Sequence, residues 1–310
     1  MGNPPAAPVS FRGIDLQNTP EVASHTQEDL EPVVARGRTF HSEKYDTYFT
    51  PNDEQQMDSI DITHHYLTLL HDGKLSLAPL RDDLEASYIR CYQHPNAEVI
   101  GTDLSPIQPS WVPSNVRFEI EDATSDWSWP DNHFDFVHMR YLIGAIPDWG
   151  ALFKEAFRCC KPGGFIESAE VNPTFYSDDE TTYGVTAIQK WNYLCSQGGP
   201  AFARNFTEVE NDVELLQAAG FVDIQVKDFK IPVGGWAKDP KLRLVGQFLR
   251  ATIANDLEGY TLVLAQQILK WPQSEYQLFL MEMRKALKDN SIHGYLYNRF
   301  ITARKPEGGQ

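Results

Sequence analysis

The sequence predicts an α/β fold in which a mainly parallel sheet is flanked by helices. Short apolar segments that are typical of buried strands alternate with segments whose apolar residues recur at helical spacing. Acidic residues follow two of these strands, at the sheet edge where α/β folds bind ligands. A Lys-Pro-Gly-Gly turn at residues 161–164 leads from a helix into the next strand. This alternation indicates a Rossmann-like, nucleotide-binding architecture.

The composition is that of an acidic globular protein of 310 residues, 42% of them hydrophobic. The formal net charge of −16 disfavours contact with nucleic acid or an anionic membrane, so neither is predicted as a partner. The cysteines lack zinc-like spacing, and the histidines at positions 64, 65 and 71 lack an HExxH motif, so no metal site is predicted. The N-terminus has no apolar signal-peptide segment, which indicates a cytoplasmic or nuclear protein.

The N-terminal region predicts an arm followed by a helix. Residues 1–38 are rich in proline, glutamate, glutamine and threonine, which predicts a disordered arm. A helix is predicted with Thr50 as its N-cap, Pro51 at the first helical position and Gly73 at its end. The main domain is then expected to span residues 39–305, with a short tail beyond it.

The remaining elements follow from apolar periodicity and from the turn residues that bound it. Alternating or continuous apolar runs predict strands, whereas apolar residues three and four apart predict helices. Strands are predicted at residues 98–102, 116–120, 132–138, 165–169, 221–229 and 294–303. Helices are predicted at residues 149–160, 211–219, 242–255 and 274–288.

Two aspartates stand just beyond consecutive predicted strands. Asp103 follows the first of them and Asp122 the second. Because the carboxyl ends of parallel strands meet at one sheet edge, both carboxylates should lie on the same rim, with Asp103 placed to bind a pair of ribose hydroxyls. Either aspartate alone is more readily explained as a helix cap or a turn residue. Their joint placement leaves both interpretations open.

Several segments of the chain resemble the fungal LaeA-like methyltransferases. These are class I, S-adenosyl-L-methionine-dependent proteins that are often associated with secondary-metabolite gene clusters. The similarity extends over about residues 40–305. The segments that carry it are residues 97–109, 115–122, 134–140, 148–149 and 161–167, with shorter matches at 219–221, 236–240 and 304–306.

The resemblance implies a fold, a cofactor and a set of cofactor-binding residues. The family fold is a seven-stranded sheet with helices on both faces, and the implied cofactor is S-adenosyl-L-methionine. Asp103 with Leu104 would bind the cofactor ribose, and Asp122 with Ala123 would frame the adenine. A small-molecule pathway intermediate is the implied substrate.

The same resemblance places His138 and Arg140 on the rim of the methyl-transfer cleft, as candidate catalytic residues. Glu167 or Glu170 is expected to follow the next strand. A histidine in such a position is often a hydrogen-bonded structural residue rather than a general base, and an acceptor that is already nucleophilic needs no base. The catalytic group therefore stays open at this point.

Segments 172–210 and 235–290 are interpreted as insertions that cap the substrate. Aromatic residues in the C-terminal half favour a retained apolar pocket, and the alternative is that they belong to the ordinary core. These aromatic residues are Phe175, Tyr176, Tyr183, Trp191, Tyr193, Phe202, Phe206 and Trp236.

The chain departs from the family before the strand that leads to Asp103. The family has there a strand, a loop of the type Asp-Ile-Gly-x-Gly-x-Gly and a helix, whereas no Gly-x-Gly occurs anywhere in this chain. Residues 84–93 are too few for a strand and a crossover, which needs about a dozen residues, and a short helix is predicted instead. Residues 74–80 are the candidate replacement strand. The alternative is a gene model that omits coding sequence between Asp83 and His94.

Two functions follow from these observations. The first is methylation of a small fungal metabolite, impaired because the missing loop would orient the cofactor's methyl group and rate depends steeply on orientation. The second is a non-catalytic accessory protein of the same pathway, which holds an intermediate or binds a protein partner. The Gly-x-Gly-x-x-Gly of nicotinamide oxidoreductases and the Gly-x-Ser-x-Gly of α/β hydrolases are absent from the sequence.

Overall fold

A computed structural model describes most of the chain as a mixed α/β fold. The described residues are 33–35, 37–41, 49–80, 97–107, 112–201, 206 and 212–307. The strands are β1 (Val33–Ala35), β2 (Arg38–Phe40), β3 (Val99–Asp103), β4 (Val116–Ile120), β5 (Phe134–Arg140), β6 (Cys160–Tyr176), β7 (Val222–Pro232) and β8 (Tyr295–Arg304). The helices are α1 (Glu54–Leu70), α2 (Trp149–Cys159), α3 (Thr186–Tyr193), α4 (Gly199–Ala201), α5 (Asp212–Ala219), α6 (Pro240–Asn255), α7 (Leu257–Leu262) and α8 (Gln273–Ala286). None of these helices is long and apolar enough to cross a bilayer.

The central sheet is divided into two hydrogen-bonded units. Strands β3 and β4 form a parallel pair, and the larger unit has the order β5-β6-β8-β7. In the larger unit β5 and β6 are parallel, whereas β8 runs antiparallel to both of its neighbours. Within the described residues no strand joins β3 to β5. Residues 74–80, the candidate replacement strand, contain no strand, and residues 84–93, for which a short helix is predicted, lie outside the described residues.

Helix α2 shows how the sequence pattern builds the core. Asp148 caps its N-terminus by accepting the backbone N–H of Ala151 at 2.9 Å. Its apolar residues recur every three or four positions and so bury one continuous face, which packs in the main hydrophobic cluster. Gly164 follows in β6, where an added Cβ would lie 2.9 Å from the backbone oxygen of Asp135 on β5. The predicted Lys-Pro-Gly-Gly turn thus lets two neighbouring strands approach closely.

The N-cap of helix α1 is Asp53 rather than the predicted Thr50. The Asp53 carboxylate accepts the backbone N–H of Gln56 at 3.2 Å. The helix cannot begin earlier, because the N–H of Asn52 donates to the carbonyl of Thr39 at 2.9 Å and holds that part of the chain against β2. Strand β1 and the first residue of β2 also lie inside the N-terminal arm predicted over residues 1–38. Ordered chain therefore precedes residue 39, and residues 1–32 lie outside the described residues.

A guanidinium joins this hairpin to two helix N-termini. Arg38 on β2 pairs through two nitrogens with Asp53, the cap of α1, and its Nη1 and Nη2 lie 2.7 and 2.9 Å from the two oxygens of Asp256. Asp256 is fully buried and caps α7 by accepting the N–H of Gly259 at 3.0 Å. The N-terminus of α1 is thereby fixed at the junction of α6 and α7, and α1 packs against α6.

Candidate active site

A cleft of about 500 Å³ opens between β3 and β5, where the two units of the sheet separate. Its walls come from β3, β4, β5, the turns that follow these strands and one face of α1. All six site residues predicted from the sequence line this one cleft: Asp103, Leu104, Asp122, Ala123, His138 and Arg140. The fold therefore brings together residues that are spread over nearly forty positions of the chain, as expected for the carboxyl edge of a parallel sheet.

Asp103 ends β3 and lies on the floor of the cleft. Burial raises the pKa of its carboxyl to about 6, although hydrogen bonds from the backbone N–H groups of Ser105 and Leu104 act in the opposite direction. The Ser105 N–H donates to Oδ1 at 3.0 Å, so the carboxylate also stabilises the turn after the strand. Turn formation and ligand binding are compatible here, because a carboxylate has several acceptor positions.

Asp122 and Ala123 form the turn after β4. Oδ1 of Asp122 accepts the N–H and the hydroxyl of Thr124, at 2.8 and 2.7 Å, and so closes an Asx-turn. The indole of Trp127 donates to the Ala123 carbonyl at 3.3 Å. These contacts make the alternative raised for Asp122, a turn residue, correct as a local description. The residues still contribute to the cleft wall.

His138 borders the cleft, but its side chain is held inside the sheet. Its side chain is only 1% exposed, and Nδ1 lies 3.1 Å from Oε1 of Glu167 on β6. Burial lowers the pKa of His138 and thus favours a neutral ring. Burial alone would raise the pKa of Glu167, but hydrogen bonds from His138, Leu77 and Ser76 lower it overall. The pair is therefore a neutral imidazole beside an ionised carboxylate, which fits a structural role for His138.

Glu167 also fixes the chain segment before the undescribed residues 81–96. Oε2 accepts the backbone N–H groups of Leu77 and Ala78, at 2.6 and 2.8 Å, and the hydroxyl of Ser76 at 3.1 Å. The expectation that Glu167 or Glu170 follows the strand is wrong, because β6 extends to Tyr176 and both glutamates lie within it. Their carboxyl groups satisfy backbone donors in neighbouring loops instead of facing an acceptor.

Arg140 ends β5 and lies half-buried at the mouth of the cleft. Its Nη1 lies 3.3 Å from Nδ1 of His64 on α1. Partial burial and the neighbouring guanidinium both lower the pKa of His64, so the neutral ring can accept a hydrogen bond from Arg140. Of the two catalytic candidates, Arg140 is the one whose side chain faces the open space.

Helix α1 supplies cleft residues that the sequence did not reveal. Gln56 and His64 line the cleft from one face of the helix, and Asn52 lies just before it. The side chain of Asn52 donates to the hydroxyl of Ser105 at 3.3 Å, and that hydroxyl lies 2.7 Å from Nδ1 of His41. A glutamine at a buried position of an otherwise amphipathic helix is the feature of the sequence that could have indicated a cleft residue on α1.

The segments interpreted as substrate caps hold the aromatic residues singled out in the sequence. Among the described residues of segments 172–210 and 235–290, none lines the cleft. Phe175, Trp191 and Phe206 are buried in the hydrophobic core, whereas Tyr183 and Tyr193 are exposed. The alternative interpretation, ordinary core, thus describes the buried aromatics. Phe202 lies outside the described residues.

Comparison with known proteins identifies the family. A family described as "Methyltransferase domain" matches residues 82–226. The methyltransferase pytC of Aspergillus terreus is 33% identical over 283 residues, which cover 87% of each chain. The protein-methionine methyltransferase laeA of Emericella nidulans is 27% identical, over 87% of this chain and 75% of the relative. The chain belongs to the LaeA-like methyltransferases.

Among solved structures, the phosphoethanolamine N-methyltransferase 2 of Haemonchus contortus in complex with S-adenosylhomocysteine is similar to this LaeA-like chain. It is 19% identical, covers 78% of this chain and 52% of its own, and gives a TM-score of 0.41. The family confirms the Rossmann-like class I fold expected from the sequence, and S-adenosyl-L-methionine is its cofactor.

The cleft of this LaeA-like protein fits that cofactor in size and in polar groups. A volume of about 500 Å³ lies within the usual range for small-molecule sites, about 300–1,000 Å³. Asp103 offers a carboxylate for ribose hydroxyls, and the walls are otherwise largely apolar. The Oε1 atom of Gln56 is buried and has no hydrogen-bond partner in the described part of the chain. A ligand that carries hydroxyl or amino donors would satisfy this oxygen.

Proposed function

We propose that this protein binds S-adenosyl-L-methionine in the cleft and methylates a small, largely apolar metabolite of a fungal secondary pathway. The observation that supports the proposal is the convergence of Asp103, Asp122 and Arg140 on one cleft at the carboxyl edge of the sheet. The chain has relatives whose names place them in secondary metabolism, such as the regulator laeA of Aspergillus flavus.

Each wall of the cleft has a distinct task in this proposal. Asp103 would hold the ribose, and Ala123 with Asp122 would border the adenine. Bound S-adenosyl-L-methionine supplies an electrophilic methyl group on a sulfonium. Apolar side chains such as Leu142 and Ile146 line the same space and would exclude water from the acceptor.

The acceptor is expected to be nucleophilic without help from a general base. His138 is the one histidine on β5, and its 1% exposure and its contact with Glu167 keep it from the open cleft. His41 is buried against Ser105, and burial lowers its pKa to about 4. Neither ring is presented as a general base, and the third histidine of the cleft, His64, contacts a guanidinium through its Nδ1. We therefore expect an acceptor group that needs no base, such as a phenolate, an enolate or a free amine.

We expect methyl transfer to be slower than in relatives that carry the glycine-rich loop. That loop lets the backbone approach the amino-acid end of the cofactor closely, and its helix offers unpaired N–H groups. Without it the methyl group is less well oriented, and a misplacement of about 1 Å costs on the order of a hundredfold in rate.

Isothermal titration calorimetry with S-adenosylhomocysteine at up to millimolar concentration tests the binding part. Asp103→Asn should weaken the affinity by about tenfold or more, because hydrogen bonds to a charged group are worth about 1.5–3 kcal/mol. Asp223→Asn, an exposed aspartate paired with Arg304 on the far edge of the sheet, is the matched control and should leave the affinity unchanged. A wild-type protein that takes up no ligand at millimolar concentration refutes the proposal.

A non-catalytic accessory role is the second candidate, and the divided sheet favours it. Between β3 and β5, where the family fold has its central strand, the described residues provide none. Such a protein would hold an intermediate without transferring a methyl group. Deletion of the gene distinguishes the two roles: a product that lacks one methyl group supports transfer, whereas an altered product profile with all methyl groups retained supports the accessory role.

A further inference from the structure

Arg140 forms no ion pair with a described residue, in a protein that is acidic as a whole. Among the described residues that line the cleft it is the one lysine or arginine, and no described aspartate or glutamate forms an ion pair with it. Glu170 on β6 is close enough to interact electrostatically, but its two oxygens already accept the N–H groups of Leu142 and Ile143, at 3.1 and 2.9 Å. Within the described residues the guanidinium therefore keeps donors that a bound anion could use.

His64 holds this guanidinium in place from the opposite wall. The contact between Arg140 Nη1 and His64 Nδ1, at 3.3 Å, uses one nitrogen of the five-donor fork. The remaining donors have the planar geometry that matches a carboxylate through two parallel hydrogen bonds. The chemistry of the site therefore selects a carboxylate rather than a lone carbonyl or hydroxyl.

Helix α1 spans the cleft and defines its two ends. Near its N-terminus Asn52 contacts Ser105, beside Asp103 at the end of β3, and farther along the helix His64 contacts Arg140 at the end of β5. Gln56, with its unsatisfied Oε1, and His64 are eight residues apart, about 12 Å along the helix. One end thus offers acceptors for hydroxyl donors and the other offers a cation, over a length suited to a nucleoside with an amino-acid arm.

We propose that Arg140, positioned by His64, binds the methionine carboxylate of the cofactor and so replaces the missing glycine-rich loop as the anchor for that end. The inference rests on the proposed function, because it requires the cofactor to occupy the cleft. A carboxylate on the methyl acceptor could bind the same guanidinium. The experiment below distinguishes the carboxylate of the cofactor from that of the acceptor.

The test compares two probes that differ in the amino-acid arm. S-adenosylhomocysteine carries the carboxylate, whereas 5′-methylthioadenosine has the same nucleoside and a thioether but no carboxylate. Calorimetric affinities are measured for the wild type, Arg140→Gln and Arg140→Lys, with Arg284→Gln on the exposed face of α8 as the matched control. Thermal unfolding of each variant checks that it is folded.

The proposal predicts that Arg140→Gln lowers the affinity for S-adenosylhomocysteine by about 10- to 100-fold and leaves the affinity for 5′-methylthioadenosine unchanged. The affinity of Arg140→Lys for S-adenosylhomocysteine should lie between those of the wild type and Arg140→Gln, because lysine keeps the positive charge but not the two parallel N–H donors. Equal losses for both probes, or no loss for either, overturn the proposal; in the second case an acceptor carboxylate becomes the candidate. If the wild type binds neither probe, both the proposed function and this inference fail. If the wild type binds S-adenosylhomocysteine and Arg140→Gln binds it equally well, the inference alone is overturned.

Discussion

Glu170→Gln should remove most of the alkaline sensitivity of the fold. The Glu170 side chain is 3% exposed, and burial raises the pKa of its carboxyl from 4.5 to about 8. In the unfolded chain the carboxyl loses its proton near pH 4.5, while the folded protein keeps it until about pH 8. The folded state binds more protons throughout this window, so the free energy of unfolding falls as the pH rises from 4.5 to 8.

The size of the effect follows from the same difference. A tenfold change in proton affinity is worth about 1.4 kcal/mol, so a pKa raised from 4.5 to about 8 corresponds to a loss of about 5 kcal/mol by pH 8. Glutamine has nearly the same shape and cannot ionise. Its oxygen can accept the N–H of Ile143, but its NH2 group cannot accept the N–H of Leu142, which costs about 1–3 kcal/mol at every pH. The free energy of unfolding of the variant should therefore lie below that of the wild type near pH 5 and rise relative to it by several kcal/mol between pH 5 and pH 8.

Urea unfolding of both proteins at several values between pH 5 and pH 9 measures this difference directly. Glu258→Gln, at an exposed glutamate paired with Arg284, serves as the control for the change in net charge and should run parallel to the wild type. A difference between wild type and Glu170→Gln that stays constant over the whole range would show that Glu170 is ionised in the folded protein. The linkage argument would then be wrong.

Three further predictions concern groups outside the cleft. Arg38→Ala should lower the free energy of unfolding by about 3–5 kcal/mol, since it leaves the buried Asp256 without its partner; urea unfolding measures this. Glu167→Gln should cost about 1.5–3 kcal/mol in the same assay, because the ionised acceptor of the Leu77 N–H is lost. Cys160 should not react with a thiol reagent at pH 8 until the protein is unfolded, because burial raises its pKa to about 12.

Each of these predictions has a comparison that can contradict it. Arg284→Ala removes an exposed ion pair and should cost no more than about 1 kcal/mol, so an equal effect of Arg38→Ala would deny the burial argument. Ser76→Ala removes one donor to Glu167 and should cost less than Glu167→Gln. Cys159 shares the buried environment, and rapid labelling of it in the folded protein would contradict the thiol prediction.

The sequence predicted the elements that have a clear period and missed those that lack one. Strand β4 matches its prediction at both ends, and α2 differs by one residue. The π-helical turns at Leu194–Gly198 and Val263–Ile268 were not predicted, because their hydrogen-bond spacing produces neither of the two familiar periods. Strand β6 was predicted too short, since its Pro and Gly positions resemble a turn.

The residues of the site also differ in how far the sequence could predict them. Asp103 and Asp122 could be predicted because strand order alone brings the ends of β3 and β4 to one edge. Gln56 and the contact between Arg140 and His64 depend on how α1 lies across the sheet, which no local pattern specifies. The position of His138 inside the sheet, rather than on its rim, follows from β5 ending two residues later than predicted.

The division of the sheet has a consequence for local stability. In the described part of the chain the unit of β3 and β4 has two strands, and two of the five β4 residues are exposed, so this unit has less hydrogen bonding and burial than the larger one. Amide hydrogens of β3 should accordingly exchange with deuterium long before those of β6 and β8. A molecule that binds both Asp103 and Arg140 would connect the two units. Its binding should therefore slow the exchange of the β3 amide hydrogens.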